Sequence, residues 1–188
     1  MNIKILVATH KKYWMPEDDV YLPIHVGKEG KQDLGYIGDN TGDNISIKNP
    51  NYCELTAIYW AWKNLKADYI GLVHYRRYFT KHNFRSCEKK KQDILLKNDF
   101  KNILNDVDII VPDKRKYYIE TIRSHYNHSY YEKDLNETEN IIKEIYPEYS
   151  TAFNKVMNRT WAHMFNMFVM RKDYFDEYCE WLLLFYLN

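Results

Sequence analysis

Asp68-Tyr69-Ile70-Gly71-Leu72-Val73-His74-Tyr75-Arg76-Arg77-Tyr78-Phe79 decides how the chain is read. Its first half is a short apolar run of the length of a buried strand. It then breaks off into a His, two adjacent Arg and two Tyr. Open α/β sheets bind ligands beyond the carboxyl ends of their strands, so a strand that ends in cations suggests such a sheet. Just upstream, Leu55, Ile58, Tyr59, Trp62 and Leu65 recur at helical steps. Asn51 is expected to cap that helix, with Glu54 as its capping-box partner and Pro50 before it. Ile3 to Ala8 reads as an opening buried strand that runs out at Thr9-His10-Lys11-Lys12. Val107 to Val111, closed by Pro112, and Phe165 to Met170 read as further strands. Asp134 to Tyr146 (Asp134 as N-cap, Glu137 as its partner), Glu148 to Met157 and Asp173 to Leu187 read as helices. This alternation predicts an α/β layered domain with a mostly parallel central sheet flanked by helices, spanning 1–188 as one domain.

Composition narrows the class. A chain of 188 residues buries enough surface to hold a core without disulfides or metal. With a formal net charge of +1, it gives no global electrostatic case for nucleic acid. No apolar run is long enough for a membrane span, and the N-terminus lacks the shape of a signal peptide. Cys53, Cys87 and Cys179 are widely spaced and read as reduced thiols of a cytoplasmic protein. Five of the six Gly fall within residues 27–51, among Asp and Asn, so a long turn-rich loop is expected there. Residues 80–101, basic and including Lys89-Lys90-Lys91, are expected to form a mobile surface excursion. Aromatics make up 16% of the chain and divide by position. Tyr59, Trp62, Phe153, Phe175 and Trp181 fall in helical patterns and read as core. Tyr52, Tyr75, Tyr78 and Tyr126 lie beside polar clusters and are candidates for stacking on a sugar or base.

The chemistry concentrates in a few places. Arg76 and Arg77 carry planar forks suited to carboxylate or phosphate, and His74 can hold a proton near neutral pH. Read as extended chain, the two Arg point to opposite sides. Two readings stay open from the residues alone: an anion site, most naturally for a diphosphate, or surface ion pairs with Asp or Glu. Asn49-Pro50-Asn51-Tyr52-Cys53-Glu54 is either a helix N-terminus that favours an anion or capping and nothing more. Asp39-Asn40-Thr41-Gly42-Asp43-Asn44 is a turn cluster or a partner for sugar hydroxyls. It is no EF-hand, because Pro50 stands at the twelfth loop position counted from Asp39. His125 and His128 are two surface His or the start of a metal site without an obvious third ligand. Cys53 with His74 is a weak thiol–base pair, better read as packing. There is no Gly-x-Gly-x-x-Gly, no P-loop and no Gly-x-Ser-x-Gly.

Residues Asn49 to Asn64 and Gly71 to Phe79 resemble the bacterial capsular and exopolysaccharide glycosyltransferases of the DUF4422 family. The opening Ile5 to Lys12, Leu34-Gly35-Tyr36, Thr41 to Ser46, Asp108 to Pro112, Asn166-Met167-Phe168 and Tyr178 to Leu182 extend the resemblance over nearly the whole chain. The resemblance implies a GT-A-like (Rossmann-like) fold and a nucleotide-sugar donor, UDP-linked above others. It implies a hexosyltransferase acting on a growing capsular polysaccharide, exopolysaccharide or O-antigen repeat, with a polysaccharide or lipid-linked acceptor. The protein would be cytoplasmic, with peripheral contact at the inner face of the plasma membrane. Metal-dependent GT-A enzymes place an Asp-x-Asp motif after a strand like Tyr69 to Val73. Here His74-Tyr75-Arg76-Arg77 stands in that position. The expectation is therefore that His74, Arg76 and Arg77 hold the diphosphate and that no metal or other cofactor is required. His10, Asn51, Tyr52, Glu54, Tyr75, Tyr78 and Asn166 are expected to line the substrate site. Asp43, Glu54 and His163 are the candidates for a catalytic base. Family members continue past the point matching Leu187, which implies that a C-terminal segment is missing. Two other functions compete: a catalytically silent nucleotide-sugar or glycan-binding module, and a phosphate-recognising interaction domain.

Overall fold

In the computed structural model of the chain, which describes residues 1–82 and 91–187, the strand singled out above lies at the centre of a six-stranded sheet. The strands are β1 (Ile3–Thr9), β2 (Tyr21–His25), β3 (Ile37–Gly38), β4 (Tyr69–His74), β5 (Ile109–Ile110) and β8 (Phe168–Arg171). Their order is β3-β2-β1-β4-β8-β5. The first four are mutually parallel, and β8 runs antiparallel to both β4 and β5. The mixed α/β class and the mostly parallel sheet are as the sequence predicts.

Side-chain alternation explains the layering. On one face Ile3, Ile5, Val7, Tyr69, Val73 and Val169 pack with Phe79, Ile94, Leu95, Phe100 and Leu104. Phe100 lies on α3 (Lys97–Ile103). On the other face Leu6, Ala8, Ile70, Leu72, Phe168 and Met170 pack against two helices, α2 (Leu55–Asn64) and α7 (Lys172–Leu187). Ala57 and Ala61 of α2 and Phe175, Cys179 and Leu183 of α7 belong to that layer. Burial pushes the Cys179 thiol up, so this cysteine is packing material rather than a nucleophile.

Gly71 sits where β1, β4 and β8 come together. A Cβ there would stand 2.8 Å from the Phe168 carbonyl oxygen and 2.9 Å from Val169 Cγ2. Gly71→Ala is therefore expected to overpack the sheet and to destabilise it by about 1–3 kcal/mol, read as a lower urea midpoint. An unchanged midpoint would mean that β8 moves aside freely.

The chain divides into two compact units, Met1–Val111 with Asn166–Asn188, and Pro112–Phe165. The second unit stands in sequence between β5 and β8, two paired antiparallel strands. It contains a two-stranded ribbon, β6 (Lys114–Lys116) and β7 (Trp161–His163), and the helices α4 (Ile122–Ser129), α5 (Glu132–Ile145) and α6 (Ser150–Met157).

Three local expectations need correction. Asp134 does not cap α5; that helix starts at Glu132, and Asp134 lies in its first turn, where its charge still favours the helix dipole. Phe165 does not begin β8, because Phe165 and Asn166 both have positive φ and form a turn before it. The helix expected to start after Asn51 is instead two pieces, α1 (Asn49–Tyr52) and α2, broken at Cys53 with φ 47°. Pro50 starts α1 early, and the left-handed Cys53 forces a new start. Of the excursion expected over 80–101, residues 83–90 with Cys87, Lys89 and Lys90 lie outside the described residues. On its far side Ile94 and Leu95 are buried, and the Leu95 amide donates to the Phe79 carbonyl at 2.9 Å.

Candidate functional site

Register alone brings the polar strand ends together. Thr9 pairs with His25, and Ala8 pairs with His74, so β1, β2 and β4 finish on one edge. After β1 the buried Thr9 hydroxyl donates to the Lys11 carbonyl at 2.6 Å, a local turn that puts His10, Lys11 and Lys12 in solvent. After β4 the chain does not run on extended, as the sequence reading has it. His74 and Arg77 exchange both backbone hydrogen bonds, at 2.8 and 3.2 Å, and close a tight turn with Tyr75 and Arg76 at its tip. The Tyr75 amide also donates to the Ala8 carbonyl at 3.2 Å, which ties this turn to β1. Arg76 and Arg77 both emerge exposed from the turn.

Tyr75 is the hub between the two loops. His10 meets its ring edge-on at 5.4 Å and Tyr13 does so at 5.1 Å, while Lys11 Nζ lies 5.3 Å over it. Lys11, Lys12, Arg76 and Arg77 thus gather on one edge of the sheet with His10 and His74. No carboxylate among the described residues lies within ion-pair distance of Lys11, Lys12 or Arg76. Of the two readings left open for Arg76, surface ion pairing has no partner among the described residues. Clustered cations create a local positive potential that an anion relieves.

Tyr78 sits deeper. Its ring meets Tyr21 at 5.5 Å and Trp14 at 6.2 Å, both edge-on, and its hydroxyl lies 3.4 Å from Met15 Sδ. Burial raises its phenol well above the ordinary tyrosine range. Tyr78 supports the loop after β1 from below. Tyr13 and Trp14, both exposed, are the aromatic surface that the sequence reading passed over. Adjacency to the His10-Lys11-Lys12 cluster was the available signal for them.

The neighbouring wall is built around Asp39, which is fully buried. Its Oδ2 accepts from the Gly27 amide at 2.6 Å and the Thr56 hydroxyl at 2.5 Å. Its Oδ1 accepts from the Lys28 amide at 3.0 Å and the Ser46 hydroxyl at 2.5 Å. One carboxylate therefore joins the loop after β2, the turn Ser46–Lys48 and helix α2. Gly27 has φ 59°, and a Cβ there would fall 2.2 Å from Asn49 Oδ1, so the loop passes directly under Asn49. Asn49 Nδ2 donates to the Cys53 carbonyl at 2.7 Å and so secures the break between the two helices. Next to Asp39, buried His25 has its basicity lowered, chiefly by desolvation.

The remaining expected site residues divide by place. Asn51 is exposed on α1 and caps nothing. Tyr52 is half-buried, with Lys48 Nζ 5.6 Å over its ring. Glu54 makes no capping box; its Oε1 accepts from Asn166 Nδ2 at 2.8 Å, which links the start of α2 to the turn before β8. Asp43 is not brought to the arginine edge. It accepts from the Tyr59 hydroxyl at 3.0 Å, and its amide donates to Asn64 Oδ1 at 3.2 Å, which places it along the far half of α2. His163 lies in the second unit, with Nδ1 2.5 Å from the Pro112 carbonyl. In that unit His125 and His128 both donate to Glu120, at 3.1 and 2.7 Å, and the two His, His125 foremost, hold that carboxyl below its ordinary range. No group of three or more His, Cys, Asp or Glu among the described residues is arranged to hold a metal ion.

Comparison with known proteins adds three findings. No curated protein matches the chain. The apo structure of the WbbM bifunctional glycosyltransferase superposes with a TM-score of 0.87 at 34% sequence identity, over 100% of this chain and 37% of that one. The chain therefore spans well under half the length of that protein. Residues 4–187 match the domain of unknown function DUF4422. With that match running from the first strand to the last helix, the chain belongs to the DUF4422 family.

Proposed function

We propose that the chain is a glycosyltransferase of the hexosyl-transferring kind. In this reading a nucleotide sugar, UDP-linked above others, binds at the arginine edge of the sheet. Its sugar passes to a hydroxyl of a growing capsular polysaccharide, exopolysaccharide or O-antigen repeat at the cytoplasmic membrane face. One observation carries the proposal: Lys11, Lys12 and Arg76 stand without carboxylate partners among the described residues, at the carboxyl ends of parallel strands and beside Arg77 and His74. The likeness to WbbM supports it.

The chemistry follows from charge. Breaking the bond between sugar and diphosphate leaves negative charge on the departing phosphate. Cations held in place before the reaction stabilise that charge more than they stabilise the ground state. Arg76 and Arg77 supply two planar forks, and the turn between His74 and Arg77 fixes their backbone. Tyr13, Trp14 and Tyr75 offer rings beside the cations for a base or sugar. Glu54, held by Asn166 at the start of α2, is not enclosed as Asp39 is, and it is the base we favour over Asp43, on the far half of α2, and His163.

Incubation with UDP-, GDP- and dTDP-sugars, with and without a glycan acceptor, tests the reading. Donor turnover is expected, and it is expected to persist in EDTA, because cations of the chain take the place of a divalent metal. A strict requirement for Mn²⁺ or Mg²⁺ would overturn the metal-free diphosphate site. UDP binding without turnover of any donor, with every acceptor tried, would leave a binding module.

A further inference from the structure

The second unit carries a feature that the sugar-transfer reading does not use. All three residues of β6, Lys114, Arg115 and Lys116, are exposed cations. The strand runs straight into Tyr117-Tyr118-Ile119. Tyr117 is anchored, its amide donating to the Thr160 carbonyl at 2.7 Å. The Tyr117 carbonyl then accepts from the Ile119 amide at 2.8 Å and closes a three-residue turn with φ 62° at Tyr118. That backbone region is disfavoured for any residue but Gly, Asn or Asp. The turn drives two apolar side chains outward: Tyr118 is 82% exposed and Ile119 is 94% exposed.

The cations beside this tip are held in position. Lys114 Nζ lies 4.0 Å over the ring of Trp161, and Arg115 lies 5.4 Å over Tyr117. The ribbon pairing of β6 with β7 fixes the strand itself. An isoleucine and a tyrosine project together, directly after a strand of three exposed cations, two of which sit over rings. We propose that Tyr118, Ile119 and the Lys114–Lys116 row form a docking site for the surface of an anionic lipid bilayer. The isoleucine enters the boundary between headgroups and acyl chains, the phenol stays at headgroup depth, and the cations face lipid phosphates. Three exposed cations stand against two flanking carboxylates, Asp113 and Glu120, and His125 and His128 engage Glu120. This positive excess and the small apolar area fit a lipid surface better than a protein partner, whose stable interfaces need many more residues. No helix among the described residues is long and apolar enough to cross a membrane. This inference goes beyond the sugar-transfer reading and does not depend on it, since vesicle binding requires no turnover.

Co-sedimentation with sucrose-loaded vesicles tests it, using phosphatidylcholine alone and phosphatidylcholine mixed with phosphatidylglycerol. The chain is expected to sediment with the mixed vesicles only, and to be released by raised salt. Tyr118→Ser with Ile119→Ser should lower partitioning by about tenfold or more. Lys114→Gln with Lys116→Gln should do the same, with circular dichroism of each variant matching the parent. Equal sedimentation with both vesicle types, or variants that bind like the parent, would overturn the proposal. So would light scattering in which the Ser variant turns a dimer into a monomer while vesicle binding is unchanged, because the tip would then be a contact between copies.

Discussion

Replacing Arg76 and Arg77 together by Ala is expected to weaken UDP binding by about two orders of magnitude or more. Each charge-assisted hydrogen bond to a phosphate contributes about 1.5–3 kcal/mol, roughly tenfold to a hundredfold in affinity. The fold should not notice. Both side chains are exposed, and the turn that carries them is closed by backbone bonds between His74 and Arg77. The melting temperature is therefore expected to stay within about a degree or two of the parent's. Arg76→Lys keeps the charge and removes the fork, so it should recover only part of the loss. Calorimetric titration with UDP reads both variants against the parent. Unchanged affinity in the double variant would remove the diphosphate from this edge, whatever the enzyme turns over.

The second large effect is on stability. Asp39→Ala is expected to cost about 3–5 kcal/mol, enough to unfold much of a marginal domain. The carboxylate accepts four hydrogen bonds, from two amides and two hydroxyls on three separate segments. Removing it leaves buried donors without partners, each at about 1 kcal/mol or more. Asp39→Asn is informative because it is nearly isosteric. Its amide group would present hydrogens to donors on one side, so it should remain clearly destabilised. Urea unfolding followed by fluorescence measures both, and a shift below about 1 kcal/mol in the Ala variant would show that solvent replaces the carboxylate.

How far the sequence foretells these features depends on the range of the interactions. β1 and β4 are readable because central parallel strands are buried on both faces and appear as unbroken apolar runs. β2 is not, since Pro23 in Tyr21-Leu22-Pro23-Ile24-His25 argues against a strand. The structure tolerates it because β3 pairs only with Ile24 and His25, beyond the proline. The cation cluster is legible as composition at two strand ends, but its geometry is not. Whether Arg76 and Arg77 lie on extended chain or in a turn depends on backbone bonds that four residues make among themselves. Asp39 is the larger omission. Read locally it is one of several acidic residues in a Gly-rich loop, and only the fold brings Ser46 and Thr56 to it. Asn51 and Glu54 show the opposite case, in which a valid capping pattern is overridden because Pro50 starts one helix early and Asn49 secures the break at Cys53.

The place of the second unit in the chain has an evolutionary consequence. Ile109 and Ile110 pair directly with Met170 and Val169, so the six-stranded sheet treats everything from Pro112 to Phe165 as the loop of a hairpin. Loop-closure entropy rises only logarithmically with length, about 0.6 kcal/mol per doubling. Lengthening, shortening or exchanging that insert therefore leaves the register of the central strands almost untouched. A lineage can rewrite it as a cassette, for new surfaces or new partners, while the arginine edge is inherited unchanged.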